Sequence, residues 1–423
     1  MFKPIRKIKD EYVQAYRGLP HKAWILFAVH LVNSSGSMVI FFLSLYLTRK
    51  LGLDTARAGQ ALSLYGAGSL AGAFLGGWLT DRIGSIIVLK LSLSACGVLL
   101  LALAQVRSMA GILLLLFSLA LFAGMLFPAN TALMSKICPP GLQIKGFALN
   151  RLAGNLGATI GPAVGGVLAL RDYRLLFWAD GLTSLAAAAL FALLWKGTRL
   201  KAEEIGPAEM NEAGREEHGI LQDPVPGQEA TKSRSPWRDG PFLLLMLIFV
   251  VFYSVFLQVV TTFPLYIRNV YGLAENRIGQ LFAVNTIMIV ALEMILMEKI
   301  RKYPLTRMIN VSFILLGIGL GLMPLGRGFA FGALTVAIWT FGEMLNMPLA
   351  TALIAGRADD TNRGRYMGLS SLAFSLAFIV APAGGTAIYS RFGGDAVWIV
   401  CAALSLLLAA AFSALRPALQ TRK

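Results

Sequence analysis

The residues of this sequence whose types could do chemistry are ionisable side chains standing inside long apolar runs. Glu343 lies near the middle of the run 329–355, five residues before Pro348. A carboxylate at such a depth is expensive and defaults to a working role. Its available chemistry is to take up and release a proton, or to bind a cation. His30, in the run 23–47, lines up with Asn33, Ser34, Ser37 and Phe41 at spacings of three, four, seven and eleven residues, which gives one polar face on an otherwise apolar helix. His30 and Asn33 on that face are candidate substrate or proton-coupling groups. Arg151 and Glu293 stand inside 144–169 and 275–297, and Asn285 precedes Glu293 by eight residues, where it shares its face. Plainer readings exist for each: a neutral structural Glu bonded to a neighbouring helix, a packed imidazole, and two charges that snorkel to the interface.

The elements that must position these groups follow from composition. The 423 residues are 57% hydrophobic and 14% charged, with a mean hydropathy of +0.68, far from a soluble globular domain. Crossing a ~30 Å hydrocarbon layer takes about 20 apolar residues, and six such stretches precede a polar stretch at 197–238 and six follow it. In lipid only helices and closed barrels satisfy their backbone groups, and these runs lack the alternation of barrel strands. The expected fold is an all-α membrane protein with 12 transmembrane helices.

The second half repeats the first at a fixed spacing of 220 residues. Leu45, Tyr46, Gly52, Leu53, Gly59 and Gln60 return as Leu265, Tyr266, Gly272, Leu273, Gly279 and Gln280. Pro128, Thr131, Ala132 and Leu133 return as Pro348, Thr351, Ala352 and Leu353, and Pro162, Ala163 and Gly165 as Pro382, Ala383 and Gly385. Each copy holds an even number of helices, so the two six-helix repeats run parallel about an axis along the membrane normal. Such repeats build transporters with a site between the halves. The expected division is a segment 1–22, a bundle 23–196, a linker 197–238, a bundle 239–416 and a tail 417–423.

The formal net charge of +16 reflects Lys and Arg gathered on the side of both termini, which the positive-inside rule makes cytoplasmic, in the plasma membrane. The basic residues sit where topology puts them, so no nucleic-acid partner is needed to explain them. The first apolar segment is long enough to span and is not followed by a small-residue cleavage pattern, so it is expected to remain as a helix. Tyr12, Val13 and Tyr16 among charges suggest a short amphipathic surface helix. The stretch 197–238, with seven Glu, four Pro and few large apolar residues, cannot bury a core and reads as a tether, with partner binding as the other reading. Cys96, Cys138 and Cys401 show no metal or disulfide spacing. Three dispersed His and the lack of a phosphate-cradling Gly-Lys-Ser/Thr loop point to no metal, no cofactor, no ATP drive and no enzyme.

Two stretches carry a resemblance. Gly77-Trp-Leu79-Thr-Asp81-Arg82-Ile-Gly84, followed by Leu89, resembles the loop signature between helices 2 and 3 of the major facilitator superfamily. Arg151-Leu-Ala-Gly154-Asn155-Leu-Gly157-Ala-Thr-Ile-Gly161-Pro162-Ala-Val-Gly165-Gly166 resembles its helix 5 antiporter signature. With twelve spans, a six-plus-six repeat and a polar central loop, the likeness covers nearly the whole chain and points to the 12-helix drug/proton antiporter type. It implies that Asp81, beside Arg82 and the turn at Gly84, latches the first half against helix 11 when the cytoplasmic side closes. Ser85 and Ile86 replace basic residues common there. Gly161 and Pro162, with the partial copy around Pro382, become gating hinges. Helices 5 and 8 face each other across the halves, which makes Arg151 and Glu293 an inter-half ion pair for the closed cytoplasmic side. Helices 1, 4, 7 and 10 surround the cavity, whereas helix 6, with Asp180, is an outer support. Helix 4 departs from the pattern, since Ala120 stands where many drug/proton antiporters carry a basic residue.

The expected function is alternating-access transport of small hydrophobic or amphipathic organic compounds, most simply proton-coupled efflux, by a monomer. Phe41, Tyr253, Phe256 and Met347 would make the cavity largely apolar. A metabolite uptake symporter or a lipid flippase would use the same scaffold, and so would a non-transporting sensor or assembly factor.

Overall fold

The computed structural model describes residues 18–139, 142–195, 236–357 and 363–420. The surface helix expected around Tyr12, Val13 and Tyr16, the linker as far as residue 235 and the last three residues lie outside these. Among the described residues twelve membrane-length helices follow in order. The first six are α1 (His21–Lys50), α2 (Thr55–Ile83), α3 (Ser85–Leu103), α4 (Met109–Ile137), α5 (Gln143–Arg171) and α6 (Arg174–Leu194). In the second six, α7 runs in three successive segments (Gly240–Phe256, Gln258–Thr261 and Phe263–Asn269). It is followed by α8 (Glu275–Ile300), α9 (Leu305–Gly321), α10 (Phe329–Arg357), α11 (Arg363–Phe392) and α12 (Gly394–Gln420). No strand occurs among the described residues.

Length and apolarity make these helices. The 29 residues of α4 reach about 43 Å at 1.5 Å per residue, more than the ~30 Å hydrocarbon layer. Eleven of the twelve are apolar enough to cross a membrane by composition. The exception is α2, which has the length but is diluted by Gly, Ser, Thr and Gln. Its ends are set locally: Asp54 accepts the Arg57 N–H at 2.9 Å, filling one of the open donors of the first turn, and Gly84 at φ +90° reverses the chain directly into α3. Gly52 and Gly272, equivalent positions of the two copies, adopt the same φ of +69°. The repeat is therefore one of backbone geometry as well as of sequence.

The helix ends that lead to both chain termini lie on one face of the bundle, here the terminal side; the opposite face is the distal side. Between the two halves α2 packs on α11 and α5 on α8. Glycines let backbones touch at these seams. A Cβ on Gly59 would stand 2.8 Å from the Pro382 carbonyl oxygen, and one on its equivalent Gly279 would stand 2.3 Å from that of Pro162. Gly66 meets the Phe378 carbonyl and Gly166 that of Glu275 in the same way. All four contacts lie in the distal half. Within the first half, α1 lies along the glycine face of α5, where Gly154 leaves room for His30, Gly157 for Ser34 and Gly165 for Met38.

Candidate functional site

Glu343 is the central residue of α10, which runs from 329 to 357. Its side chain reaches α8, where Asn285 Nδ2 donates to Glu343 Oε2 at 2.8 Å and lies 3.0 Å from Thr340 Oγ1. Thr340 spends its own hydroxyl proton on the Val336 carbonyl at 2.6 Å, so it is free to accept from the amide. Two turns along α8 from Asn285, Glu293 contacts Arg151 of α5 across the seam. Glu293 is 12% exposed and Arg151 49%. Three helices from two halves thus hold two polar contacts, Asn285 with Glu343 and Arg151 with Glu293, two turns apart along α8.

These residues break the internal repeat. Glu343, Thr340, Glu293 and Asn285 correspond to Ala123, Ala120, Ala73 and Tyr65 in the first copy, and Arg151 to Ser371 in the second. What the copies share, the Leu-Tyr, Gly and Pro positions, builds the scaffold. What they do not share supplies the charge.

A second set closes the distal side. The Tyr173 hydroxyl, at the turn into α6, donates to Glu275 Oε1 at 2.8 Å at the start of α8, and Arg268 Nε stands 3.3 Å from the same oxygen. Arg49 donates to Asn269 at 2.9 Å, Lys50 pairs with Asp172 at 3.3 Å, and the Phe41 and Phe282 rings meet edge to face at 4.8 Å. Asp172, in the turn between α5 and α6, is held below the usual carboxylate range by the Arg174 backbone N–H and by Lys50. Among the described residues the terminal side is joined more sparsely. Asp81 is exposed, and among the described residues no hydrogen bond or ion pair ties it to α11, while Arg82 stacks 4.3 Å over Trp78 of its own helix. Arg151 and Glu293 thus meet in a structure whose distal side is shut.

The polar face expected on α1 is divided. The helix breaks after Gly36, where Ser37 takes ψ 66°, so a 3.6-residue period does not carry from Ser34 to Phe41. His30 and Ser34 face the α5 glycines, and Asn33 accepts from Ser184 of α6 at 3.3 Å. Asn33 therefore does not share a surface with Glu343 through that period. Tyr253 is buried in an aromatic cluster with Phe249, Phe252 and Phe374, and Phe256 and Met347 are half-buried. Asp180, read from the sequence as peripheral, is buried against the α1 break, with the Val39 N–H 3.3 Å from its Oδ2. Glu275, Tyr173 and Arg268 went unselected because they stand at the ends of spans, where charge is ordinary. Their signal was Glu275, a departure from its equivalent Thr55.

The profile of the Major Facilitator Superfamily matches residues 25–358 and 341–423. The chain belongs to the major facilitator superfamily. Within it, the chain is 25% identical to a Na(+), Li(+), K(+)/H(+) antiporter of Planococcus maritimus over 370 residues, 83% of this chain and 85% of that one. It is 27% identical to the multidrug resistance protein MdtH of Edwardsiella ictaluri over 363 residues, 84% and 83% of the two chains. Among solved structures, a POT family transporter in complex with 5-aminolevulinic acid superposes with a TM-score of 0.78 at 16% identity, covering 97% of this chain and all of that one. The nucleoside transporter NupG gives 0.72 at 12%, covering 93% and 99%. These likenesses establish the fold, and the superfamily makes the protein a multi-pass secondary transporter.

Proposed function

We propose that this major facilitator exports hydrophobic or amphipathic organic compounds in exchange for protons, with Glu343 as the carboxylate that carries the proton. The observation behind this reading is the place of Glu343: mid-span, bonded to the neutral Asn285, which stands two turns along α8 from an ion pair that bridges the halves. One carboxylate exposed alternately to each side can bind either a proton or a cationic substrate, which suffices for exchange without a basic residue at Ala120. The division into bundles 23–196 and 239–416, with 1–22, 197–238 and 417–423 cytoplasmic, makes the distal side external and the described state cytoplasm-facing. His30, Pro162 and Pro382 serve as coupling and gating groups in this scheme, and the Arg151–Glu293 pair joins the halves in this cytoplasm-facing state rather than only when that side is closed, in a monomer of the plasma membrane.

A second reading, monovalent cation/proton exchange, draws on the antiporter relative and on the oxygens of Glu343 and Thr340. The test of both is efflux from energised vesicles, comparing wild type with Glu343→Gln before and after collapse of the proton gradient. Export of a hydrophobic fluorescent cation, stopped by either change, supports organic-compound export. Sodium or potassium flux without dye flux transfers the site to the second reading, and neither flux refutes both.

A further inference from the structure

Helices α1 and α7 occupy equivalent places in the two copies and are interrupted at the same register, after Gly36 and after Phe256. What holds each interruption differs. In α7 the neutral Gln258 does so: its amide donates to the Ala381 carbonyl of α11 at 2.8 Å, and its oxygen accepts from Thr261 and Thr262. In α1 the holder is a carboxylate from another helix. Asp180 of α6 receives the Val39 N–H at 3.3 Å, at the start of the distal segment Val39–Lys50. The two helices are sewn together there, since Ser184 bonds Asn33 at 3.3 Å and a Cβ on Gly36 would fall 1.7 Å from Thr183 Oγ1.

Capping alone does not call for an acid. Asn or Ser caps a helix start as well as Asp, and a carboxylate inside a membrane is kept at a cost. Asp180 is 7% exposed, and among the described residues no Lys, Arg or His pairs with it. The titratable groups facing it are the Cys96 thiol of α3 and the Tyr65 hydroxyl of α2. From α1 it meets only backbone N–H, and α5 carries its charges at Lys145, Arg151 and Arg171, none of them paired with Asp180. Its equivalent in the second copy is Val400, so it breaks the repeat as the residues around Glu343 do.

We propose that Asp180 is a second titrating carboxylate of the transport cycle, which holds the distal segment of α1 while ionised and releases it when protonated. Hydrogen bonds to an ionised acceptor are roughly twice as strong as neutral ones, and protonation turns one carboxylate oxygen into a donor. The segment it holds carries Phe41, packed on Phe282, and Arg49, bonded to Asn269. Release therefore loosens the distal seal. The inference rests on alternating access and is independent of the substrate and of the role given to Glu343.

The test is a distance measurement between spin labels at Gln105→Cys and Leu325→Cys, equivalent exposed positions at the distal ends of the two halves, with the native cysteines replaced and the protein in lipid bilayers from pH 5 to 8. Acidification is expected to raise the population with separated ends. D180N should fix the distance distribution at one value across the pH range, while D180E keeps a pH response with a shifted midpoint. A D180N protein with the wild-type midpoint, or a wild type without any pH response, overturns the proposal. Should D180N not fold, the transition is followed in Glu343→Gln, where its persistence supports Asp180 and its disappearance refutes it. Loss of proton-driven flux beside an intact distance response would sink the export reading alone.

Discussion

At the scale of residues, the transport chemistry concentrates in a few groups that the internal repeat does not duplicate. Glu343→Gln keeps the shape and the acceptor for Asn285 but cannot exchange a proton. Gradient-driven flux should fall at least ~10-fold, equivalent to about 1.4 kcal/mol of barrier, with the amount of folded protein unchanged on size-exclusion chromatography. The Arg151 and Glu293 pair permits a sharper experiment. Arg151→Glu and Glu293→Arg should each impair transport, and the double exchange should recover it, with a coupling energy on the order of 1 kcal/mol. Equal loss in all three variants would mean that the two charges work separately. Glu343 was legible in the sequence because an acid in the centre of an apolar run costs too much to be kept without a role. Asn285 was legible only as a polar neighbour of Glu293; its bond to Glu343 joins residues 58 apart, and no local pattern encodes that.

Helices and their ends carry the next layer. Asp239 caps α7 by accepting the Phe242 N–H at 3.1 Å, and it also takes two bonds from Arg357 at the end of α10, at 2.7 and 2.8 Å, and one from Tyr366 of α11 at 3.1 Å. Arg357 in turn donates to the Leu419 carbonyl of α12 at 3.1 Å. Burial alone would raise the Asp239 carboxyl, but the Arg357 guanidinium, the Phe242 N–H and the Tyr366 hydroxyl hold it below its ordinary value of 3.8. A lowered folded-state value means that the stabilisation is fully present above about pH 4 and is lost as pH falls through the folded value below that. Asp239→Asn should cost about 2 kcal/mol, the range for a bond to a charged group, and lower the melting temperature at pH 7. That deficit should vanish under strong acid, and an acid-independent deficit would mean that only the cap matters. The seams make a separate demand. Gly279→Leu pushes a side chain into the Pro162 carbonyl, so it should keep the distal ends apart, read as reactivity of a cysteine placed at Phe41 towards a membrane-impermeant thiol reagent. The three- and four-residue spacing of Gly154, Gly157, Gly161 and Gly165 puts them on roughly one face of α5. It did not say that α1 fills most of that face and α8 only its distal end.

For the whole molecule the expectation is alternation: if the distal seal must open in each cycle, a covalent link across it stops transport. A Cβ on Gly59 would lie 2.8 Å from Thr386 Cβ, closer than the ~3.5–4.5 Å that a disulfide spans, so the bridge needs only a slight parting of α2 and α11. Gly59→Cys with Thr386→Cys should lose flux on oxidation and regain it with reductant. Flux unaffected by a completed bridge would refute the two-sided cycle. The same symmetry makes Gly279 the counterpart of Gly59, so equivalent glycines seal equivalent seams on both sides of the axis.

The sequence by itself determined the membrane class, the twelve helices, their parallel pairing in two copies and the family, because apolar length, the 220-residue repeat and the two signatures are properties of the chain read in order. It also marked Glu343, Arg151 and Glu293, since the penalty for charge in lipid depends on depth, and depth can be counted along a helix. Only the tertiary structure decided which charges meet: that Asn285 joins Glu343, that Tyr173 and Arg268 converge on Glu275, and that Asp180 reaches the break in α1. Each of these contacts links helices far apart in sequence, and each turns on helix rotation and on breaks such as that at Ser37. Those are set by how side chains interlock between helices, which periodicity within one helix does not contain.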